Sequence, residues 1–281
     1  MLQNTFVHLP GVGIKTEQAL WSAGICSWDT FRDPATCSLP FGKRKSEALR
    51  EYLGQCGDHV SGSNPAFFAR TLPTQLLWRL FPDFRHCTAY LDIETTGLGD
   101  PGDHITTAAL YDGREIFHYV HGDNLDQFPQ DLAKYKVLVT YNGSCFDLPF
   151  IRSSFGVPLE QVHIDLRFLL HNLGYRGGLK GCEKQLGLCR NELDGVDGYF
   201  AVLLWQEYKK KRNRGALETL LAYNIADAVN LETLMVKAYN LKLKETPFRE
   251  LELEAPRPVS STFMPDMKLI RELRDRWAVY L

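Results

Sequence analysis

The sequence predicts an α/β protein: a mixed sheet flanked by helices, preceded by a small all-helical domain. Three observations carry this. Residues 88–94, 105–111 and 115–120 are short β-prone runs in close succession, and Asp112-Gly113 is a hairpin signal between the last two. Strands and helices then alternate, with strands over 137–141 and 162–164 and helices over 125–135, 146–155, 166–173, 178–187, 197–211 and 216–240. A meander followed by such alternation gives a sheet of mixed direction. Before residue 87 the apolar spacings and turns are those of helices.

The helical part opens on Pro10-Gly11-Val12-Gly13, a tight turn. Ile14, Ala19, Leu20 and Trp21 have helical spacing up to about Ala23, and Gly24-Ile25 closes that helix. Glycines permit close backbone approach, a helix start offers free N–H groups, and Lys15 adds a positive charge. Gly11, Gly13 and Lys15 are therefore candidate phosphate contacts, the alternative being a plain helical hairpin packed on its neighbour. A nucleotide-binding glycine loop is disfavoured, because no strand precedes the turn and the third glycine is missing. A second helix runs from residue 41 to 53 behind Lys43-Arg44-Lys45, a basic run that tracks a phosphate backbone or is a solvated face.

Residues 57–65 are small, polar and rich in breakers, the best internal linker. A helix over 66–81, interrupted at Pro73, bridges to the sheet with Leu76, Leu77, Leu80 and Phe81 on its apolar side. The expected division is thus 1–60 (helical domain), 61–86 (connection), 87–240 (sheet domain) and 241–281 (extension). In the extension, prolines 247, 256, 258 and 265 imply an extended course over the surface. Met267, Ile270, Leu273 and Trp277 then predict a last helix that docks back on the body.

Composition narrows the function classes. With 281 residues, 44% hydrophobic and 23% charged, the chain is globular and large enough for one large domain plus a small one. A formal charge of −2 announces no global basic field, although residues 1–85 carry nine Lys/Arg against seven Asp/Glu, leaving −4 to the remainder. Seven cysteines, none in a C-x-x-C pair, read as reduced thiols and argue against structural zinc. No leader-like N-terminus and no apolar run of spanning length is present, so the expectation is a cytoplasmic protein without a membrane partner.

The chemistry-bearing stretch is Leu91-Asp92-Ile93-Glu94-Thr95-Thr96-Gly97. Strand alternation puts Ala89, Leu91 and Ile93 on one face and Tyr90, Asp92 and Glu94 on the other. Two carboxylates about 5 Å apart repel by roughly 3 kcal/mol at an effective dielectric of 20, which a fold tolerates when a cation sits between them or one is protonated. An edge strand with a solvated acidic face is the bland alternative. Two later stretches weigh against it. Asp147, in Asn142-Gly143-Ser144-Cys145-Phe146-Asp147, lies just past a buried-looking strand, where α/β sheets present functional groups, and also suits a helix cap. Tyr223 and Asp227 are four apart in a helix and share a face, unless they are a core aromatic and a solvated acid.

D-x-E-T-T-G, N-x-x-x-F-D and Y-x-x-x-D, in this order over residues 87–240, resemble the DEDD (DnaQ-like) exonucleases of the RNase H-like superfamily. The match is to the tyrosine variant (DEDDy), since Ala222 stands where the other variant has histidine. The resemblance implies an RNase H-like mixed sheet and a 3′→5′ exonuclease that hydrolyses phosphodiesters with two ions, Mg²⁺ or Mn²⁺. Asp92, Glu94, Asp147 and Asp227 would hold these ions, Asp92 bridging both, and Tyr223 would orient or deprotonate the attacking water. Thr96, Asn142 and Phe146 would join the nucleic-acid contacts. The N-terminal turn likewise resembles a helix-hairpin-helix element, which implies DNA-phosphate binding without sequence reading, and so a DNA partner ahead of RNA. An RNA-trimming exonuclease, a structure-specific endonuclease and a catalytically silent nucleic-acid-binding protein are the competing readings. Asp165 is read as a helix cap or an outer partner of the site, His163 as structural, and 175–180 as a glycine-rich loop that admits substrate or simply connects. The basic run 209–212 with Arg214 tracks a backbone or is a solvated helix end.

Overall fold

Five strands form one sheet, β1 (Thr88–Thr95), β2 (Ile105–Tyr111), β3 (Ile116–Val120), β4 (Val137–Thr140) and β5 (Val162–Asp165), in the order β3-β2-β1-β4-β5. In this computed structural model residues 1–33, 40–188, 193, 196–257, 259 and 261–278 are described. β1 pairs antiparallel with β2 and β2 with β3, while β1–β4 and β4–β5 are parallel. The predicted mixed sheet is therefore observed, with every predicted strand within about a residue of its place.

Gly113, at φ +88°, turns the β2–β3 hairpin, and Asp112 Oδ1 accepts from the N–H groups of Arg114 and Glu115. The alternation read from the sequence decides what covers each face. Ala89, Leu91 and Ile93 pack with Leu148 and Ile151 of α7 (Asp147–Phe155) and with Phe128 and Leu132 of α6 (Phe128–Leu132). Tyr90 packs on the other side with Leu231, Leu234 and Met235 of α11 (Arg214–Leu243), a 30-residue helix across the sheet. A helix of that length is about 45 Å long, enough to reach past the sheet in both directions.

The remaining helices are α1 (Ile14–Ser22), α2 (Trp28–Arg32), α3 (Lys43–Ser61), α4 (Pro65–Ala69), α5 (Phe81–Phe84), α8 (Leu166–Asn172), α9 (Gly178–Gln185), α10 (Gly198–Lys211) and α12 (Met267–Ala278). Three differ from expectation for physical reasons. α3 runs through Gly57 to Ser61, because Leu49, Leu53 and Cys56 keep one buried face and that packing outweighs the roughly 1 kcal/mol cost of a helical glycine. The expected linker shrinks to a turn at 62–64. The bridge over 66–81 is α4, a 3₁₀ run Thr74–Leu80 and α5, since Pro73 stops the first helix. In α1, Ile14 is exposed, at 46%, and Glu17 is buried. Glu17 Oε1 accepts from the N–H groups of Phe6 and Val7, and its carboxylate pairs with Arg79 at 2.9 Å.

Ahead of the Pro10-Gly11 turn stands a single 3₁₀ turn, Leu2–Asn4, rather than a helix. One core cluster joins the N-terminal residues Phe6, Leu20 and Phe31 to Phe68 and Phe84 and onward to Tyr90 and Tyr239. α12 docks through Leu269, Ile270 and Leu273. The side chain of Trp277, together with Pro258, Cys37 and Cys189, lies outside the described residues. Cys26, Cys56, Cys87, Cys145 and Cys182 are free thiols. No helix among the described residues is long and apolar enough to cross a membrane.

Candidate metal centre

Asp92 and Glu94 leave β1 on the face under α11, as alternation requires, and the pairing register with β2 shifts between Glu94 and Thr95. That bulge ends the regular ladder beside the acids. α11 brings Tyr223 and Asp227 down one turn apart. Ligand atoms of Asp92, Glu94 and Asp227 all lie within 4.8 Å of one another. Glu94 and Asp227 are buried, at 8% and 4% exposed, and Asp92 is half-buried.

Asp147 lines the same cleft but stands outside this tight triad. It is the first residue of α7 rather than its N-cap, a position that Phe146 holds. Its Oδ1 accepts from the Ile93 N–H at 3.2 Å, which ties the start of α7 to β1 between the two acids.

Burial pushes Asp92 well above the usual carboxylate range, and the neighbouring charges of Asp227, Glu94 and Asp147 add to it. Asn224 opposes this by donating to Asp92 Oδ2 at 2.7 Å and to its carbonyl at 3.1 Å. Burial likewise raises Asp147 to about 7. A set of oxygen-only ligands held close at this cost fits hard divalent cations. Asp92, Glu94 and Asp227 would hold them, with Asp147 beside.

The acids line a cleft of about 810 Å³. Arg167, His171 and Arg176, all exposed, line it as well, with Gly177 and Gly178 at the entry to α9. Asn142 and Phe146 also line it. Asn142 adopts φ +66°, held there because Asp165 Oδ1 accepts its N–H at 2.8 Å and Arg167 donates to its side-chain oxygen. Asp165 also accepts from the N–H and hydroxyl of Ser144 and caps α8 through the Arg167 N–H. The cap read for Asp165 is present, and its other hydrogen bonds go to Asn142 and Ser144. Gly143 has no room for a side chain, since a Cβ would collide with that of Thr140.

Thr96 is placed differently. It is absent from the cleft lining, and its hydroxyl donates to Asp103 and accepts from the His104 N–H. Asp103 also accepts from Gly99 and Asp100, so the loop after β1 is pinned with Leu98 91% exposed. Gly11, Gly13 and Lys15 lie on a separate surface. Gly11 takes φ +69° and Gly13 precedes α1 with no side-chain cap, which leaves the helix start open.

Two residues of the site escaped the sequence reading. Asn224 has no motif of its own. Lys180, in α9, donates to the Tyr223 hydroxyl at 2.6 Å and to the Val196 carbonyl.

A mixed sheet whose central strand carries two close acids, joined by a third from a crossing helix, presents an oxygen ligand set suited to divalent cations. The sequence model of the RNase H superfamily matches residues 89–239, more than half of the chain, and the protein belongs to that superfamily. Among solved structures the chain is similar to the family B DNA polymerase from the hyperthermophilic archaeon Pyrobaculum calidifontis, with 17% identity and a TM-score of 0.42. That similarity covers 56% of this chain and 26% of the polymerase, so the chain spans about a quarter of that protein's length. No curated protein matches the sequence. Superfamily membership and the acid cluster support a nuclease-type function.

Proposed function

We propose that the protein is a metal-dependent 3′→5′ exonuclease of the DEDDy type acting on nucleic acid, single-stranded DNA ahead of RNA. The observation that carries this reading is the convergence of Asp92, Glu94 and Asp227 within 4.8 Å, with Asp147 and Tyr223 in the same cleft. The 3′→5′ polarity comes from the resemblance to the DEDD exonucleases alone.

Two Mg²⁺ or Mn²⁺ ions bound by these acids would supply positive charge to both the entering and the leaving oxygen of the phosphodiester. The protein's own residues do the rest. Arg167 and Arg176 bring positive charge to the cleft, where they bind phosphate oxygens of the strand. Tyr223, fixed by Lys180, presents its hydroxyl to the attacking water. Asn224 orients the Asp92 carboxylate. Asn142 and Phe146 contact the terminal nucleotide. The turn at Gly11 and Gly13, with Lys15, holds a DNA phosphate away from the cleft, so residues 1–60 serve as a holding module ahead of a catalytic domain over 87–240.

End-labelled DNA and RNA oligonucleotides, linear and circular, test this with Mg²⁺ or Mn²⁺ beside Asp92→Ala and Asp227→Ala. Stepwise shortening from the 3′ end by the wild type alone is the expected result. Cleavage of a circle would show an endonuclease, and equal signal from wild type and variants would remove catalysis from the protein.

A further inference from the structure

α8 separates two spaces. Arg167 and His171 face the acidic cleft, whereas Phe168 and Asn172 line a second cavity of about 320 Å³ between this helix and the 3₁₀ run Thr74–Leu80. Its chemistry is that of a flat, neutral, heteroaromatic ligand. Phe168 is 56% exposed, a large ring kept in solvent with the Arg167 guanidinium 5.9 Å from its centroid. Exposed rings of this kind are stacking platforms for bases.

Trp78 contributes to the buried side of the cavity, and its indole N–H has no acceptor among the described residues. Polar edges converge on the same space. Asn172 Oδ1 accepts from Lys242 at 2.8 Å, which leaves its amide N–H groups for another acceptor. Ser144 Oγ donates to Asp165 at 2.7 Å and keeps its lone pairs. Mostly apolar walls with a few convergent polar groups are the usual make-up of a ligand site. The Asp165 carboxylate also lines the cavity and disfavours phosphate there, which separates its ligand from the phosphates proposed for the cleft.

We propose that this cavity is a base-binding subsite, taking one unstacked nucleobase of the strand whose scissile phosphate lies in the acidic cleft. Phe168 stacks on that base. The two spaces are one helix apart, about 10 Å, so the base belongs to a neighbouring nucleotide rather than to the one being removed. The assignment rests on the nuclease reading for its strand, and the test separates the two.

Short single-stranded DNA and RNA oligonucleotides of one sequence are titrated in EDTA against wild type, Phe168→Ala and Thr74→Trp, the last filling the cavity from its exposed rim. KM is then measured with Mn²⁺, alongside hydrolysis of the p-nitrophenyl ester of thymidine 5′-monophosphate, which is too short to reach the cavity. Both variants are expected to weaken oligonucleotide binding and raise KM about tenfold, with ester hydrolysis unchanged. A single abasic nucleotide at one position should reproduce the loss in wild type and add nothing in Phe168→Ala. Binding and KM equal to wild type in both variants, no measurable binding of either oligonucleotide, or a loss indifferent to abasic placement would overturn the subsite. If wild type hydrolyses neither substrate, the nuclease reading fails while the EDTA titration still decides the subsite.

Discussion

The Lys180 ammonium donates to the Tyr223 hydroxyl at 2.6 Å while lying 4.1 Å from the centroid of the same ring. Two separate helices, α9 and α11, thereby fix one phenol in direction as well as place. Tyr223→Phe should lower kcat about a hundredfold, the usual reach of a positioned proton-handling group. Lys180→Met should lower it about tenfold and add little on top of Tyr223→Phe, because the two act as one unit. Single-turnover rates of the two single variants and the double variant with Mn²⁺ check this; fully additive losses would mean that Lys180 acts elsewhere.

Asn224 offers a second handle. Its amide spans Asp92 Oδ2 and the Asp92 carbonyl, so it sets the rotamer of that carboxylate. Asn224→Ala should weaken Mn²⁺ affinity about 10- to 100-fold, as removal of such outer partners does elsewhere. Isothermal titration with Mn²⁺ measures it directly, and an unchanged affinity would remove Asn224 from the site.

The same acids strain the metal-free fold. With ligand atoms of Asp92, Glu94 and Asp227 within 4.8 Å, Asp227→Asn removes repulsion of roughly 3 kcal/mol or more at an effective dielectric of 20. The variant should therefore unfold at a higher temperature than wild type in EDTA, yet lose both activity and the thermal shift produced by Mn²⁺. Thermal melts with and without metal show both effects at once.

What the sequence revealed of this arrangement followed from local periodicity. Alternation along 88–94 assigned Asp92 and Glu94 to one face, and a spacing of four put Tyr223 with Asp227; both hold in the structure. Contacts between distant segments left no local trace. Lys180 and Asn224 matter through partners 43 and 132 residues away, and Thr96 turned to Asp103 because the loop after β1 needed a staple. Ile14 and Glu17 exchange the burial that their residue types suggest, since Glu17 finds Arg79 62 residues on. The length of α3 was hidden by Gly57, whose intrinsic cost is overridden by the buried face of Leu49, Leu53 and Cys56.

Glu17 and Arg79 pin α1 to the run Thr74–Leu80 inside the core, both almost fully buried. Arg79→Met should cost about 3–5 kcal/mol, because it leaves a buried carboxylate with only the Phe6 and Val7 N–H groups. Adding Glu17→Gln should recover part of that loss, since a neutral amide still offers an oxygen to those donors. Urea unfolding of the single and double variants gives the coupling. A cost below about 1 kcal/mol for Arg79→Met would mean that the pair does not hold the segment in place.

His8 predicts the acid limit of the fold. Its ring lies 5.4 Å from that of Trp28 and 5.8 Å from that of Phe68, and neither nitrogen has a hydrogen-bond partner among the described residues. Burial, with the Arg79 charge adding to it, lowers its pKa from 6.5 to about 3. The folded chain thus keeps His8 neutral where the unfolded chain protonates it. The stability this contributes is complete above about pH 6.5 and is lost as the pH falls toward 3, at about 1.4 kcal/mol per unit. His8→Phe keeps the aromatic packing and removes the titration, so its stability should fall less between pH 7 and pH 5 than that of wild type. Parallel pH profiles of urea midpoints for the two proteins would refute the assignment, because the slope difference has no other source at this position.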